Sequence, residues 1–410
     1  MDVTVALEMH YSVAPDGSVW SKIGQARSFW ERYLEVFDRV AIVARAIPVA
    51  KPPEGSLRVD GDGIHLRPVT NYQGPEQFVL RYPRVWRSVR AAMPERGAVI
   101  LRVGSQIADM IEGKLRERNR PFAVEVVSDP YEVFGRGVVD HPLRRYFRWK
   151  FTRSLKRQCL GAIGAAYVTR SALQARYPCR SHFSVSDVDL TDSCFVPEST
   201  YYSNVELSAE SIAETALRVK GTGPYRLITV GTLERAYKAT DVLIDAVADC
   251  VRSGLDLTCS IIGDGRLRPS LMSRADRLGV KERISFLGWV TAGEPVRRIL
   301  DGCDLYVMPS KSEGLPRALI EAMARGLPCI GSDVGGIPEL LEPEEMVPAG
   351  DFKALSRKIQ EVLMNPSRMA ALSRRNLKVA HEYCDTVLNQ RRKKFYEFVR
   401  DVTRELEARG

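Results

Sequence analysis

The sequence predicts an α/β protein made of two doubly wound parallel-sheet domains. Three observations predict it. Short apolar runs of strand length alternate with helical patterns, this alternation occurs twice, and 410 residues exceed what one core ordinarily holds. In the first half the strand candidates are "VTVALEM", "RVAIVAR", "AVILRVG", "FAVEVVS" and "AAYVTR", with residues 18–37 and 143–163 read as helices. The stretch 183–211 reads as a strand followed by a linker. In the second half "YRLITVG", "LTCSIIG", "RISFLGWV", "CDLYVMPS", "LPCIGSDV" and "EMVPAG" continue the alternation, with helices such as "DVLIDAVADCVRSG" between them. The expected boundaries are 1–205, 206–388 and a basic C-terminal helix at 389–410 that returns toward the first domain.

Composition narrows the class. An apolar content of 45% with 27% charged residues is that of a soluble globular chain, and no run nears the roughly 20 apolar residues of a membrane span. The start "MDVTVALEMH" lacks the basic and apolar regions of a secretory signal, so a cytoplasmic location is expected. None of the eight cysteines forms a CxxC pair or sits at zinc-ligand spacing from a histidine, so no structural metal is expected. The net charge of +9 is uneven. From His141 to Ser186 there are ten Lys or Arg and no Asp or Glu, which points to an anionic partner.

The strongest chemical signal is "YVMPSKSEGLPRALIEAMARGLPCIGSDVGGIPEL". A strand ends at Pro309, a polar turn follows, and Pro316 is expected at the first position of a helix that stops at Gly326. Such a turn offers free backbone N–H groups and a positive helix end at the carboxyl edge of a parallel sheet, which is an anion cradle. Glu313 lies in the turn and Glu321 in the helix, whose side chains lean back toward its N-terminus. One carboxylate can accept from sugar hydroxyls and the other from ribose hydroxyls. Alternatively, Glu321 pairs with Arg317 and Arg325 across helical turns on an exposed face.

This segment resembles the Glu-x7-Glu motif of retaining family 4 glycosyltransferases of the GT-B fold, with Glu313 and Glu321 as its two glutamates. The likeness continues through "LITVGTLERAYKATDVLIDAV", "IIGDGRLRPSL", "RISFLGWV" and "SDVGGIPEL", and so covers most of 226–341. It is greatest to bacterial exopolysaccharide and O-antigen transferases. The resemblance implies two Rossmann-like domains facing across a cleft, and a hexosyl transfer with retention from a UDP- or GDP-sugar to a saccharide or lipid-linked saccharide. It implies Lys238 and Arg235 as neutralisers of the departing diphosphate, because charge builds on that oxygen as the glycosidic bond breaks. Gly231, Thr232, Gly263 and Gly265 would form the phosphate loops. Gly314, Leu315 and Arg317 would offer backbone N–H groups to the β-phosphate. Phe286 and Leu287 would lie beside the base, Glu313 would contact the transferred sugar, and Glu321 the ribose. No metal or cofactor is required beyond the nucleotide sugar.

Two positions depart from the family. Thr232 stands where many members have arginine or serine. Ser128 stands where many place a histidine, directly before Asp129, which could line the acceptor cleft or cap the turn ahead of Pro130. On the acceptor side, His10 ends the first strand, and Asp16 and Gly17 are turn residues in the expected first βα loop. A lone histidine there is more often structural than catalytic.

"LRRYFRWKFTRSLKRQ" interleaves seven Lys or Arg with Tyr146, Phe147, Trp149 and Phe151. A basic amphipathic helix of this kind fits an anchor on anionic lipid at the inner face of the plasma membrane, or a helix packing its apolar arc on the sheet. No nucleic-acid motif accompanies it. Rival readings are a nucleotide-sugar epimerase on the same fold, a transferase acting on a small-molecule acceptor, and a catalytically silent nucleotide-binding partner.

Overall fold

The structure is a computed structural model, and it describes residues 1–22, 25–135, 138–139, 141–179, 199–201, 205, 207–216 and 222–409. The chain divides into two compact units. One comprises Met1–Pro130, Trp149–Tyr202 and Asn389–Gly410; the other comprises Tyr131–Arg148 and Ser203–Leu388.

The strands of the first unit are β1 (Val3–Val13), β2 (Val19–Ser21), β3 (Val40–Pro48), β4 (Leu57–Arg58), β5 (Ile64–Thr70), β6 (Ala98–Val103), β7 (Ala123–Val126), β8 (Ala165–Tyr167) and β9 (Ser199–Tyr201). They form one sheet in which β5, β3, β1, β6, β7, β8 and β9 run parallel, while β2 pairs antiparallel with β1 and with β4. Both faces of β1, β3, β6 and β7 are buried over most of their length, as β-branched runs covered by helices require. The helices begin with α1 (Arg27–Leu34), α2 (Gly74–Ala92), α3 (Gln106–Glu117), α4 (Pro130–Val133), α5 (Arg144–Gly161) and α6 (Ala172–Arg176). Ser105 caps α3 by accepting from the Ala108 N–H.

The second unit is a six-stranded sheet of β10 (Tyr225–Val230), β11 (Leu257–Ile262), β12 (Ile284–Gly288), β13 (Leu305–Met308), β14 (Cys329–Ser332) and β15 (Met346–Val347). All its pairs are parallel, in the order β12-β11-β10-β13-β14-β15. Around it lie α7 (Thr240–Arg252), α8 (Arg268–Arg277), α9 (Glu294–Asp301), α10 (Arg317–Ala324), α11 (Phe352–Leu363) and α12 (Pro366–His381), and α13 (Asp385–Arg409) follows. The core of one face joins Leu227, Ile261, Leu305 and Ile330 of the sheet to Leu243 and Val247 of α7 and Ile359 of α11. The order reverses between β10 and β13. In an open parallel sheet the crevice for a ligand lies there, beyond the carboxyl ends of the two strands.

From Asn389 onward α13 belongs to the first unit. Its Tyr396 stacks on Tyr33 of α1 with ring centroids 4.4 Å apart, and both hydroxyls donate to Glu125 on β7, at 3.1 and 3.0 Å. Arg102 of β6 pairs with the same carboxylate. Burial pushes Tyr33 up to about 12, so it donates as a neutral phenol.

Three sequence expectations need correction. The helix expected over 18–37 is a strand, β2, and then the short helix α1. The Asp16-Gly17 pair makes a hairpin turn instead of a βα loop. Gly17 has φ +85°, and the Asp16 carboxylate accepts from the Ser18 N–H and hydroxyl. Secondly, α2 and α3 add two helices to those read from the sequence, and α2 runs through Pro83. Thirdly, Pro316 is the N-cap of α10, one residue before the expected helical position. Of the strand and linker expected over 183–211, residues 183–198, 202–204 and 206 lie outside the described residues. The described remainder holds β9 and a short 3-10 turn at Ala209–Ser211.

Candidate active site

The loop after β10 and the loop after β13 meet at the reversal of strand order. The first runs from Gly231 through a 3-10 turn at Ala236–Lys238 to Ala239, whose φ of +51° swings the chain straight into α7. A left-handed alanine costs about 1 kcal/mol or more, and such local strain is tolerated where the surroundings fix it. Here the Lys311 N–H donates to the Tyr237 carbonyl at 2.7 Å, tying the two loops together.

At their junction Lys238 Nζ donates to Glu313 Oε1 at 2.7 Å, and Ser310 Oγ donates to the same oxygen at 2.6 Å. The Lys238 side chain is 18% exposed and that of Glu313 is 8% exposed. The pair is therefore shielded, yet the lysine keeps a route to solvent. Beneath it Tyr306 of β13 is wholly buried. Burial above all, with Cys329, Glu313 and Glu321 nearby, drives its hydroxyl well above its ordinary value and keeps it neutral.

Two glycines hold the loops in place. A Cβ on Gly335, at φ +56°, would stand 1.9 Å from the Glu313 carbonyl, and the Gly336 N–H donates to the Gly314 carbonyl at 2.8 Å. A Cβ on Gly263, at φ +141°, would stand 1.8 Å from the Gly231 carbonyl. Only glycine permits these approaches. Gly265 lies against Leu233 and Glu234 of the same first loop.

The other expected residues distribute unevenly. Thr232 accepts from the Glu234 N–H. Arg235 is exposed at the start of the 3-10 turn, and Arg317 is exposed at the start of α10. Gly314 and Leu315 lead into α10, whose first N–H groups lack intrahelical acceptors. Glu321 sits on α10, half-buried. On β12 the Phe286 carbonyl already accepts from Arg268 at 3.2 Å, while Leu287 is exposed beside it.

In the first unit the sequence signals were weaker and the structure assigns them differently. His10 Nδ1 lies 2.9 Å from Asn71 Oδ1, and burial, with Arg45 nearby, lowers its pKa and keeps it neutral at pH 7. Asp129 is buried, accepting from the Tyr177 hydroxyl at 2.5 Å and pairing with Arg176. Gly17 sits at the exposed hairpin turn. Sequence reasoning missed Glu8, which accepts from the Tyr72 and Ser105 hydroxyls and pairs with Arg45 where β1 departs from β6. It also missed Ser310, for which the only signal was its place three residues before Glu313.

Residues 224–365 match the model of the family described as glycosyl transferases group 1. That segment is a group 1 glycosyl transferase domain. Protein CapJ of Staphylococcus aureus is 22% identical over 382 residues, 88% of this chain and 89% of CapJ. The amylovoran biosynthesis glycosyltransferase AmsK of Erwinia amylovora is 33% identical over 142 residues, but these are 32% of this chain and 34% of AmsK. The Anabaena HepE structure in complex with UDP superposes over the whole of both chains with a TM-score of 0.62 at 16% identity. The two parallel-sheet domains of this chain are those of the GT-B fold. Its matched segment begins just before β10 and ends after α11, and thus contains both loops of the Lys238–Glu313 site.

Proposed function

We propose that this glycosyltransferase moves a hexosyl group from a UDP- or GDP-sugar to a saccharide or lipid-linked saccharide, with retention, in bacterial cell-surface polysaccharide biosynthesis. The observation that carries the donor reading is the Lys238–Glu313 contact at the strand-order reversal. A diphosphate entering there meets the Lys238 ammonium, with Arg235 at the loop's outer edge, and the open N–H groups of Gly314, Leu315 and Arg317 at the start of α10. Glu313 accepts from hydroxyls of the transferred sugar and Glu321 from the ribose. The backbone around Phe286 and Leu287 borders the base.

In the reaction the bond between the anomeric carbon and the β-phosphate oxygen breaks, and its electron pair goes to that oxygen. The acceptor hydroxyl forms the new bond on the same face, and its proton passes to a leaving-phosphate oxygen. Lys238 stabilises the charge developing on the diphosphate, a contribution typically worth about a hundredfold or more in turnover. HepE, a full-length structural likeness, has been seen with UDP, and AmsK is named for polysaccharide biosynthesis; both names support this reading. The first unit supplies the acceptor side, where Glu8, His10 and Arg45 cluster. The basic face of α5 meets an anionic membrane surface at the cytoplasmic side. No described helix is long and apolar enough to cross a membrane.

A thermal-shift comparison of UDP, GDP and ADP identifies the base, because a ligand bound only by the folded state raises its stability. Unchanged turnover in both Lys238→Ala and Glu313→Ala would sink the donor reading.

A further inference from the structure

We infer that the first unit carries a binding groove for an anionic phospholipid between α2, α3 and α5. The inference deepens the membrane reading above and is independent of the donor site. The groove encloses about 610 Å³, within the range of small-molecule sites. Its walls have opposite chemistry. On α2 the rings of Phe78, Tyr82 and Trp86 recur every four residues and so line one face. On α5 the wall is Trp149, Arg153 and Arg157 at the same spacing, with Lys150 beside them.

The floor is α3, where Gly113 leaves the middle of the groove open. A Cβ there would meet no atom within 4 Å. A glycine inside a helix is disfavoured relative to alanine, and here no packing contact demands it. Arg157 is engaged by Glu112 at 2.9 Å, whereas Lys150 and Arg153 have no salt bridge within 4 Å among the described residues, although Asp109 and Glu117 of α3 line the same groove and Lys150 acts on Asp109 through space. Cations outnumber acids in that lining, and neither Lys150 nor Arg153 is held by a close carboxylate, so both can turn to a phosphate.

The solvent-facing sides of α2 and α5 beside the groove decide the occupant. Val79 and Leu80 on α2 are 70% and 81% exposed, and Trp149 is 60% exposed. Around them α2 carries Arg81, Arg84, Arg87 and Arg90 against the single acid Glu76, and α5 from Trp149 onward carries four Lys or Arg and no acid. Apolar side chains projecting among cations are the composition of a surface that enters the headgroup layer of an anionic bilayer. One hydrocarbon chain then lies along the aromatic wall over Gly113, and its phosphate rests on Lys150 and Arg153.

The test uses the full chain, vesicles of phosphatidylcholine with and without phosphatidylglycerol, and monomeric lysophosphatidylglycerol. Flotation should show salt-sensitive binding only to the phosphatidylglycerol vesicles, weakened by about tenfold or more in Leu80→Glu. Lysophosphatidylglycerol should shift the tryptophan emission to the blue, and Gly113→Leu should abolish that shift while circular dichroism shows an intact fold. Binding that ignores Leu80→Glu and Lys150→Glu would overturn the surface. A lysolipid signal that survives Gly113→Leu would overturn the groove. Self-association through this face, broken by Leu80→Glu without any vesicle binding, would overturn the lipid in favour of a second copy. The UDP-induced melting shift reports the donor site separately.

Discussion

The two units hold carboxylates near their strand ends in opposite ways. In the first unit Glu125 is surrounded by Arg102, Tyr33 and Tyr396, and Asp129 by Arg176 and Tyr177. In the second, Glu313 has one lysine and one serine hydroxyl, and that lysine is partly open to solvent. A carboxylate enclosed by donors from several elements ties those elements together. A carboxylate sharing one cation at a sheet's ligand crevice can exchange that partner for a substrate. The contrast separates structural acids from chemical ones more reliably than their position along a strand.

Removing the enclosed acid should have the largest effect on folding. Glu125→Ala leaves Arg102 buried without its counter-charge, and chemical denaturation should show a loss of about 3–5 kcal/mol. In the second unit the corresponding change should act on chemistry. Lys238→Ala should lower kcat by about a hundredfold or more with little change in the denaturation midpoint. A variant that mainly unfolds would erase the contrast.

Gly335→Ala probes what positions Glu313. The added methyl has no room against the Glu313 carbonyl, so a loss of about 1–3 kcal/mol in stability and a matching drop in turnover are expected. Tyr396→Phe removes one of the donors to Glu125 and should cost about 1 kcal/mol, read from the same denaturation curves.

The smallest effect is His10's. Its folded pKa is depressed, so the folded state resists protonation. The stability it contributes is complete above the unfolded value of 6.5 and is lost as pH falls below that value toward the folded pKa. His10→Asn should flatten the dependence of Tm on pH in that window. An unchanged slope would show that His10 carries none of it.

How much was legible follows the same division. In the second unit each strand is a mostly apolar run, so strands and helices could be anticipated, and Lys238 and Glu313 stood out as site residues, although not their mutual contact. Gly335 and Gly263 could be flagged only as loop glycines, because their need is a backbone approach from another loop. In the first unit the signals were non-local. Asp16-Gly17 is a hairpin turn by chemistry, yet it was subordinated to the expectation of a βα loop. The helix α2, which carries half of the groove, contains Pro83, a residue that disfavours helix interiors. The partners of Asp129, Arg176 and Tyr177, lie more than one element away in sequence, so its role could not be read from the turn beside it.

The central claim is that the reversal point between β10 and β13 holds the diphosphate of a nucleotide sugar against Lys238. The most direct measurement is the melting temperature of the protein with and without UDP and GDP, in the wild type and in Lys238→Ala. At least one nucleotide should raise the wild-type Tm, and the substitution should remove most of that rise. A wild-type Tm indifferent to both nucleotides, or a full shift retained by Lys238→Ala, would contradict it.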